Sequence, residues 1–165
     1  MPKPAIPVRL LLNPIHFLSL GLGSGLSKWM PGTAGTAVAA GLWWVCWVVW
    51  FPEMLTLYWH LAIVAVSFSI GIYLCAATAK KLGVHDHGGI VWDEFVGFWL
   101  ATVAVPLTWQ WFIAAFVLFR IFDIAKPWPI RQIDKNVHGG FGIMLDDLLA
   151  GVYTLVILHV VARVI

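Results

Sequence analysis

The sequence predicts an all-α integral membrane bundle of about five helices, with a polar site at its cytoplasmic face. Three observations carry that reading. Hydrophobic residues make up 61% of the chain and charged residues only 11%, where a soluble domain carries about 25% charged. Mean hydropathy is +0.90, and apolar runs of membrane-crossing length recur. Seven of the eight acidic residues crowd into short segments between those runs, Glu53 being the exception.

The same composition closes off other classes. A net charge of +2 without a basic run gives no footprint for nucleic acid. Cys46 and Cys75 lie in apolar stretches, and neither has an Arg six residues later, as a cysteine phosphatase loop needs. They read as buried thiols. Residues 1–165 read as one membrane domain in contact with lipid.

The elements follow in order. Lys3 and Arg9 precede Leu10-Leu11-Leu12, as in a signal peptide, but Asn13-Pro14 and His16 interrupt the run. Residues 14–20 therefore predict a short interfacial helix with Pro14 in its first turn. Residues 34–50 and 57–79 are long enough to span, at about 17–25 residues per crossing. The stretch from Phe95 to Phe119 is either one long span or two helices bent at Pro106-Leu107-Thr108. A hairpin keeps Lys80, Lys81, Arg120, Lys126, Arg131 and Lys135 on one side, together with Lys3, Arg9 and Lys28. The positive-inside rule then favours helices at 90–105 and 109–125, with only Arg163 across the membrane. A last helix is expected from Asp146 to Arg163, with the N-terminus cytoplasmic and the C-terminus outside.

This topology puts Asp93 and Glu94 at the start of the third span, Asp123 at the end of the fourth, and Asp146 and Asp147 at the start of the fifth. Gly97, Ala150 and Gly151 follow within about a turn, and small residues let helices approach closely. A carboxylate near hydrocarbon persists when it is paired, metal-bound or facing a polar cavity. Acids in a first helical turn also suit the helix dipole, so capping and ligation both stay open for Asp146. Asp123 sits where the dipole opposes it, although Arg120 at i−3 offers a partner. Oxygen-only ligands suit Mg2+, which typically shares one or two carboxylates with a phosphate. His85 and His87 read as loop residues that also suit phosphate binding or proton transfer.

Two further segments stand out. Gly21 to Gly25 and Pro31 to Thr36 are glycine-rich and offer backbone amides to a phosphate, or simply tight interfacial turns. In Lys126-Pro127-Trp128-Pro129-Ile130-Arg131, Pro127 stops a helix and is expected to hold Lys126 extended. Lys126 and Arg131 either grip a phosphate or snorkel to headgroups.

Several segments resemble the phosphatidylglycerophosphatase A family. They are Val84-His85-Asp86-His87-Gly88, Val91-Trp92-Asp93-Glu94-Phe95, Phe119-Arg120-Ile121-Phe122-Asp123, Lys126 to Arg131, and Asn136 to Asp147. Gly23-Ser24-Gly25-Leu26 and Pro31-Gly32-Thr33 are similar too, so the likeness runs from about residue 14 to 155. The resemblance implies an all-helical, Mg2+-dependent phosphatase of the bacterial inner membrane. Such an enzyme converts phosphatidylglycerophosphate to phosphatidylglycerol. On that chemistry Asp93, Glu94, Asp146 and Asp147 would hold the metal. Arg120, Lys126 and Arg131 would face the substrate phosphate, and Asp86, Asp123 and His138 would handle water and protons. The chain has no Asp-x-Asp pair of the dehalogenase-type phosphatases, which favours direct water attack over an aspartyl-phosphate.

Two rivals remain at this stage. A CDP-alcohol phosphotransferase would use similar lipids and metal, but its spaced Asp-Gly and Gly-x-x-x-Asp-x-x-x-Asp pattern is missing. A small metal or ion carrier would place acids near mid-membrane rather than at one end.

Overall fold

Helices build the described part of the protein. The computed structural model describes residues 5–46, 56–106 and 108–164, with no strand among them. In chain order the helices are α1 (Pro14–Ser19), α2 (Pro31–Trp43), α3 (Leu57–Leu82), α4 (Trp92–Ala101), α5 (Trp109–Ala125), α6 (Ile130–Asn136) and α7 (Gly139–Ala162). Short 3-10 turns at Val8–Leu12 and Gly21–Leu26 flank α1.

Local chemistry sets the helix ends. The Asn13 side chain accepts from the Ile15 N–H at 2.9 Å, and Pro14 fills the first turn of α1. The α3 helix closes on Gly83 at φ 69°, with the Gly83 and Val84 N–H groups reaching back to the Lys80 and Ala79 carbonyls.

The most extensive pairing in the bundle is α4 on α7. Around it Phe98 meets the rings of Phe112, Phe116 and Phe119 edge-on, which locks α5 to α4. Trp92 Nε1 donates to the Ser67 carbonyl and Trp99 Nε1 to the Ala39 carbonyl, each at 3.1 Å. An indole N–H in an apolar interior needs such a partner, and these two tie α4 to α3 and α2.

Among the described residues α3 and α7 are long and apolar enough to cross a membrane. The bundle has two distinct ends. Turn residues Ala104 and Val105 share cavities with Leu57 and His60 at the start of α3, and Ala104 shares one with His159 and Arg163 at the end of α7. Asp93, Glu94, Asp123, Asp146 and Asp147 lie away from that end, at the start of α4, the last turns of α5 and about two turns into α7.

Several expectations shift. The helix expected over 90–105 ends at Ala101, and residues 102–104 turn sharply, with Ala104 at φ 53°. The helix expected over 34–50 begins at Pro31, and residues 47–50 and Glu53 lie outside the described residues. The last helix begins at Gly139 rather than Asp146. Its small first-turn residues pack rather than turn: a Cβ on Gly140 would strike the Ile72 carbonyl of α3. Asp146 and Asp147 therefore sit about two turns inside α7, and neither is an N-terminal cap. Lys126 is not extended. It caps α5 in the left-handed region at φ 43°, where Pro127 blocks continuation and two carboxylates hold the ammonium.

Candidate active site

Backbone contact between α4 and α7 builds the site. A Cβ on Gly97 would lie 2.6 Å from the Asp147 carbonyl oxygen, and one on Gly151 would strike the Gly97 carbonyl. This approach brings the first turn of α4 beside the middle turns of α7. Asp93, Glu94 and Asp147 are all buried, and one carboxylate oxygen from each lies within 4.8 Å of the others. Glu94 Oε2 is buried with no hydrogen-bond partner among the described residues.

Two cations frame this centre. Arg120 Nη1 lies 2.5 Å from Asp123 Oδ2 and 3.9 Å from Glu94 Oε1. It also approaches Thr36 Oγ1 at 3.4 Å. Gly32 packs directly on the Glu94 carboxylate, with room for no side chain, so the first turn of α2 closes over the acids. On the other flank Lys126 Nζ donates to Asp146 Oδ2 at 2.5 Å and to Asp134 Oδ1 at 2.7 Å. Burial works to lower the Lys126 pKa, but Asp146 and Asp134 outweigh it and raise it above the usual lysine value. The two carboxylates thus keep Lys126 an ammonium at neutral pH.

A polar cleft of about 30 Å³ opens beside the acids, lined by His85, Asp86, Asp93, Asp134, Asp146 and neighbouring apolar groups. It holds little more than a water or an ion. His85 Nε2 accepts from the Gly139 N–H at 3.1 Å, and His138 packs edge-on against His85 at 4.7 Å between ring centroids.

The structure thus gathers Asp93, Glu94, Asp123, Asp146, Asp147, Arg120 and Lys126, with Asp86 at the cleft rim. Arg131 on α6 and His138 at the α7 N-cap are exposed and stand outside the buried centre. Asp134 was absent from the sequence assignment of the site, and Gly32 and Thr36 entered it only as part of a segment offering backbone amides, not as neighbours of Glu94 and Arg120. Asp134 carried a faint signal, one more acid in an apolar chain. Gly25 is explained by packing, since a Cβ there would strike the Gly89 carbonyl, and Gly23 by its left-handed backbone at φ 96°.

Three carboxylates held together out of water repel one another. They are all oxygen donors and one oxygen is orphaned, which fits a hard divalent cation.

Comparison with known proteins assigns the chain. The family model for phosphatidylglycerophosphatase A matches residues 17–162. The chain belongs to the phosphatidylglycerophosphatase A family. It is 51% identical over 154 residues to the Escherichia coli K12 phosphatidylglycerophosphatase A, covering 92% of this chain and 85% of that protein. The Haemophilus influenzae phosphatidylglycerophosphatase A is 47% identical, with 92% of this chain and 90% of that protein covered. A Bacteroides thetaiotaomicron protein, provisionally named a phosphatidylinositol-3-phosphatase, is 40% identical over 90% of this chain and 93% of its own length. No solved structure matches the chain. The family match spans every element from α2 to α7, including both helices that build the acid centre.

Proposed function

We propose that this protein hydrolyses the terminal phosphomonoester of phosphatidylglycerophosphate, releasing phosphate and phosphatidylglycerol, at the cytoplasmic face of the bacterial inner membrane. The observation that carries the reading is the convergence of Asp93, Glu94 and Asp147 in a buried cluster, in a chain of this family. The three carboxylates would hold Mg2+, which when bound supplies positive charge against the phosphoryl oxygens.

The chain's own residues do the rest. Phosphoryl transfer asks chiefly for alignment and charge neutralisation. Arg120 and Lys126 fix the acids: one spans Asp123 and Glu94, the other Asp134 and Asp146. Asp86, at the rim of the water-sized cleft, accepts a proton from the attacking water. The water oxygen bonds to phosphorus, the bond to the glycerol oxygen breaks, and that oxygen takes a proton from His138, which packs on the cleft residue His85. Arg131, exposed on α6, meets the phosphate from the solvent side.

Orientation follows from charge. Lys80, Lys81, Arg120, Lys126, Arg131 and Lys135 belong to the acid-bearing half of the sequence's topology and Arg163 to the far end. With α3 and α7 crossing the bilayer and α4–α5 a hairpin that returns to the acid side, the positive-inside rule turns the acids to the cytoplasm.

Phosphate release from purified protein, phosphatidylglycerophosphate and Mg2+ tests the reading. Release is expected with wild type and lost in Asp93→Asn. Equal release from both, or none from wild type, refutes it.

A further inference from the structure

One hydrogen bond joins two segments that lie far apart in the sequence. The Gly139 N–H donates to His85 Nε2 at 3.1 Å. Gly139 is the first residue of α7, and the side chain of its N-cap, His138, makes no capping bond. A helix leaves its first N–H groups without partners of its own. His85 therefore supplies from the 83–89 loop what the N-cap does not. Accepting at Nε2 puts the proton of the neutral ring on Nδ1. His138 packs edge-on against the same ring.

Both sides of the bond are held in place. On the loop side Gly83 closes α3, and the Ile90 N–H returns to the His87 carbonyl at 2.7 Å. A Cβ on Gly89 would lie 2.6 Å from the Gly25 carbonyl oxygen. On the helix side Gly140 packs on the Ile72 carbonyl and Gly142 on the Val137 carbonyl, neither with room for a side chain. Between these fixed points His85 and Asp86 are exposed, and both line the cleft. Asp86 directly follows His85, and His138 directly precedes Gly139. Each end of the bond is thus one residue from a group that handles a proton in the proposed reaction.

We infer, on the phosphatase reading above and the roles it gives Asp86 and His138, that His85 is a positioning residue. Its bond to the Gly139 N–H fixes the loop that carries Asp86 against the turn that carries His138.

Energetics decide what the bond contributes. A hydrogen bond within reach of water adds little net stability, so its consequence is geometric. A proton-transfer group must come within about 3 Å of its proton. A misplacement of about 1 Å at the reacting centre costs up to about a hundredfold in rate.

Two substitutions separate the bond from the ring. His85→Phe keeps a ring against His138 and removes the acceptor. His85→Gln removes the ring and keeps an acceptor of similar reach, with no proton to transfer. Phosphate release from phosphatidylglycerophosphate and Mg2+ is followed in both, beside thermal unfolding and hydrogen exchange of the Gly139 amide. His85→Phe should lower kcat at least about tenfold and leave KM unchanged, because the loss falls on the transition state and not on binding. His85→Gln should recover most of that kcat. Unfolding temperatures should stay near wild type, and the Gly139 amide should exchange faster in His85→Phe alone. A His85→Gln protein as slow as His85→Phe would overturn the inference and give the imidazole a direct part in proton transfer. Full kcat in His85→Phe, or equal Gly139 exchange in all three proteins, would overturn it too. So would a fall in folded fraction that accounts for the whole loss of activity, which would leave His85 a helix cap. No release from wild type would sink the phosphatase reading itself, whereas any of the other results beside an active wild type sinks the role of His85 alone.

Discussion

Gly97 and Gly151 meet backbone to backbone where α4 crosses α7: a Cβ on Gly151 would strike the Gly97 carbonyl, and Gly97 leaves the Asp147 carbonyl no more room. The crossing and the acid centre are one construction. The two helices can approach this closely only because both contact positions lack a side chain, and that approach sets Asp147 beside Asp93 and Glu94.

Widening the crossing should therefore cost both stability and activity. Gly151→Val forces the helices apart and is expected to destabilise by about 1–3 kcal/mol, as overpacking does. Activity should fall further than the lost folded fraction explains, because the carboxylates separate. Gly41→Ala is the contrast: a Cβ there meets nothing within 4 Å, and helix propensity favours the change by up to about 1 kcal/mol. Thermal unfolding in detergent beside phosphate release reads both. Wild-type turnover in Gly151→Val would mean that the crossing does not set the acid geometry.

Lys126 is expected to be structural in the same sense. Its ammonium joins Asp134 and Asp146, and the Asp146 side chain is only 10% exposed. Lys126→Met leaves that carboxylate without its partner, at a cost of about 1.5–3 kcal/mol. Adding Asp146→Asn removes the stranded charge and should restore most of the loss, a coupling that a double-mutant cycle measures. The pH profile of Lys126→Arg should match wild type, since the raised lysine pKa keeps it charged through the working range. A profile displaced by Lys126→Arg would assign Lys126 a proton-transfer role.

Membrane topology is open to cysteine labelling. Thr108 and Gly88 are both exposed; Gly88 is also free of close contacts on its Cβ side. With Cys46 and Cys75 replaced, Thr108→Cys should react with impermeant reagent from outside the cell. Gly88→Cys should react only after permeabilisation. Thr108 and Gly88 labelling from one side would break the hairpin reading of α4 and α5.

The acids and the hairpin were legible in the sequence because cost exposes them. Carboxylates in an apolar chain must gather, and the Lys and Arg placement selects the topology with a bend near Pro106. The start of α7 was hidden, because Gly139-Gly140 reads as a turn until α3 is seen packed on it. Lys126 was hidden for another reason. Its partners come from α6 and α7, and no local pattern reports a contact across a chain reversal. The 10 residues of α4 span only about 15 Å, half the hydrocarbon thickness of about 30 Å. Hydropathy counted the following turn as helix.

The acid centre should trade stability for function, and a divalent ion should reverse the balance. Asp93, Glu94 and Asp147 hold oxygens within 4.8 Å in a buried setting, so without a cation they repel. In chelator, Asp147→Asn removes one of three like charges and should unfold at higher temperature than wild type, as substitutions at strained functional sites do. Mg2+ binds only the folded arrangement, so at about 100 times its Kd it should stabilise wild type by about 2.7 kcal/mol. Asp147→Asn should lose most of that gain along with turnover. Calcium, which prefers more ligands at longer distance, should raise the unfolding temperature without restoring phosphate release. A wild-type unfolding temperature indifferent to Mg2+, in a protein that still releases phosphate, would remove the metal from the site and leave the three acids to be explained by proton transfer alone.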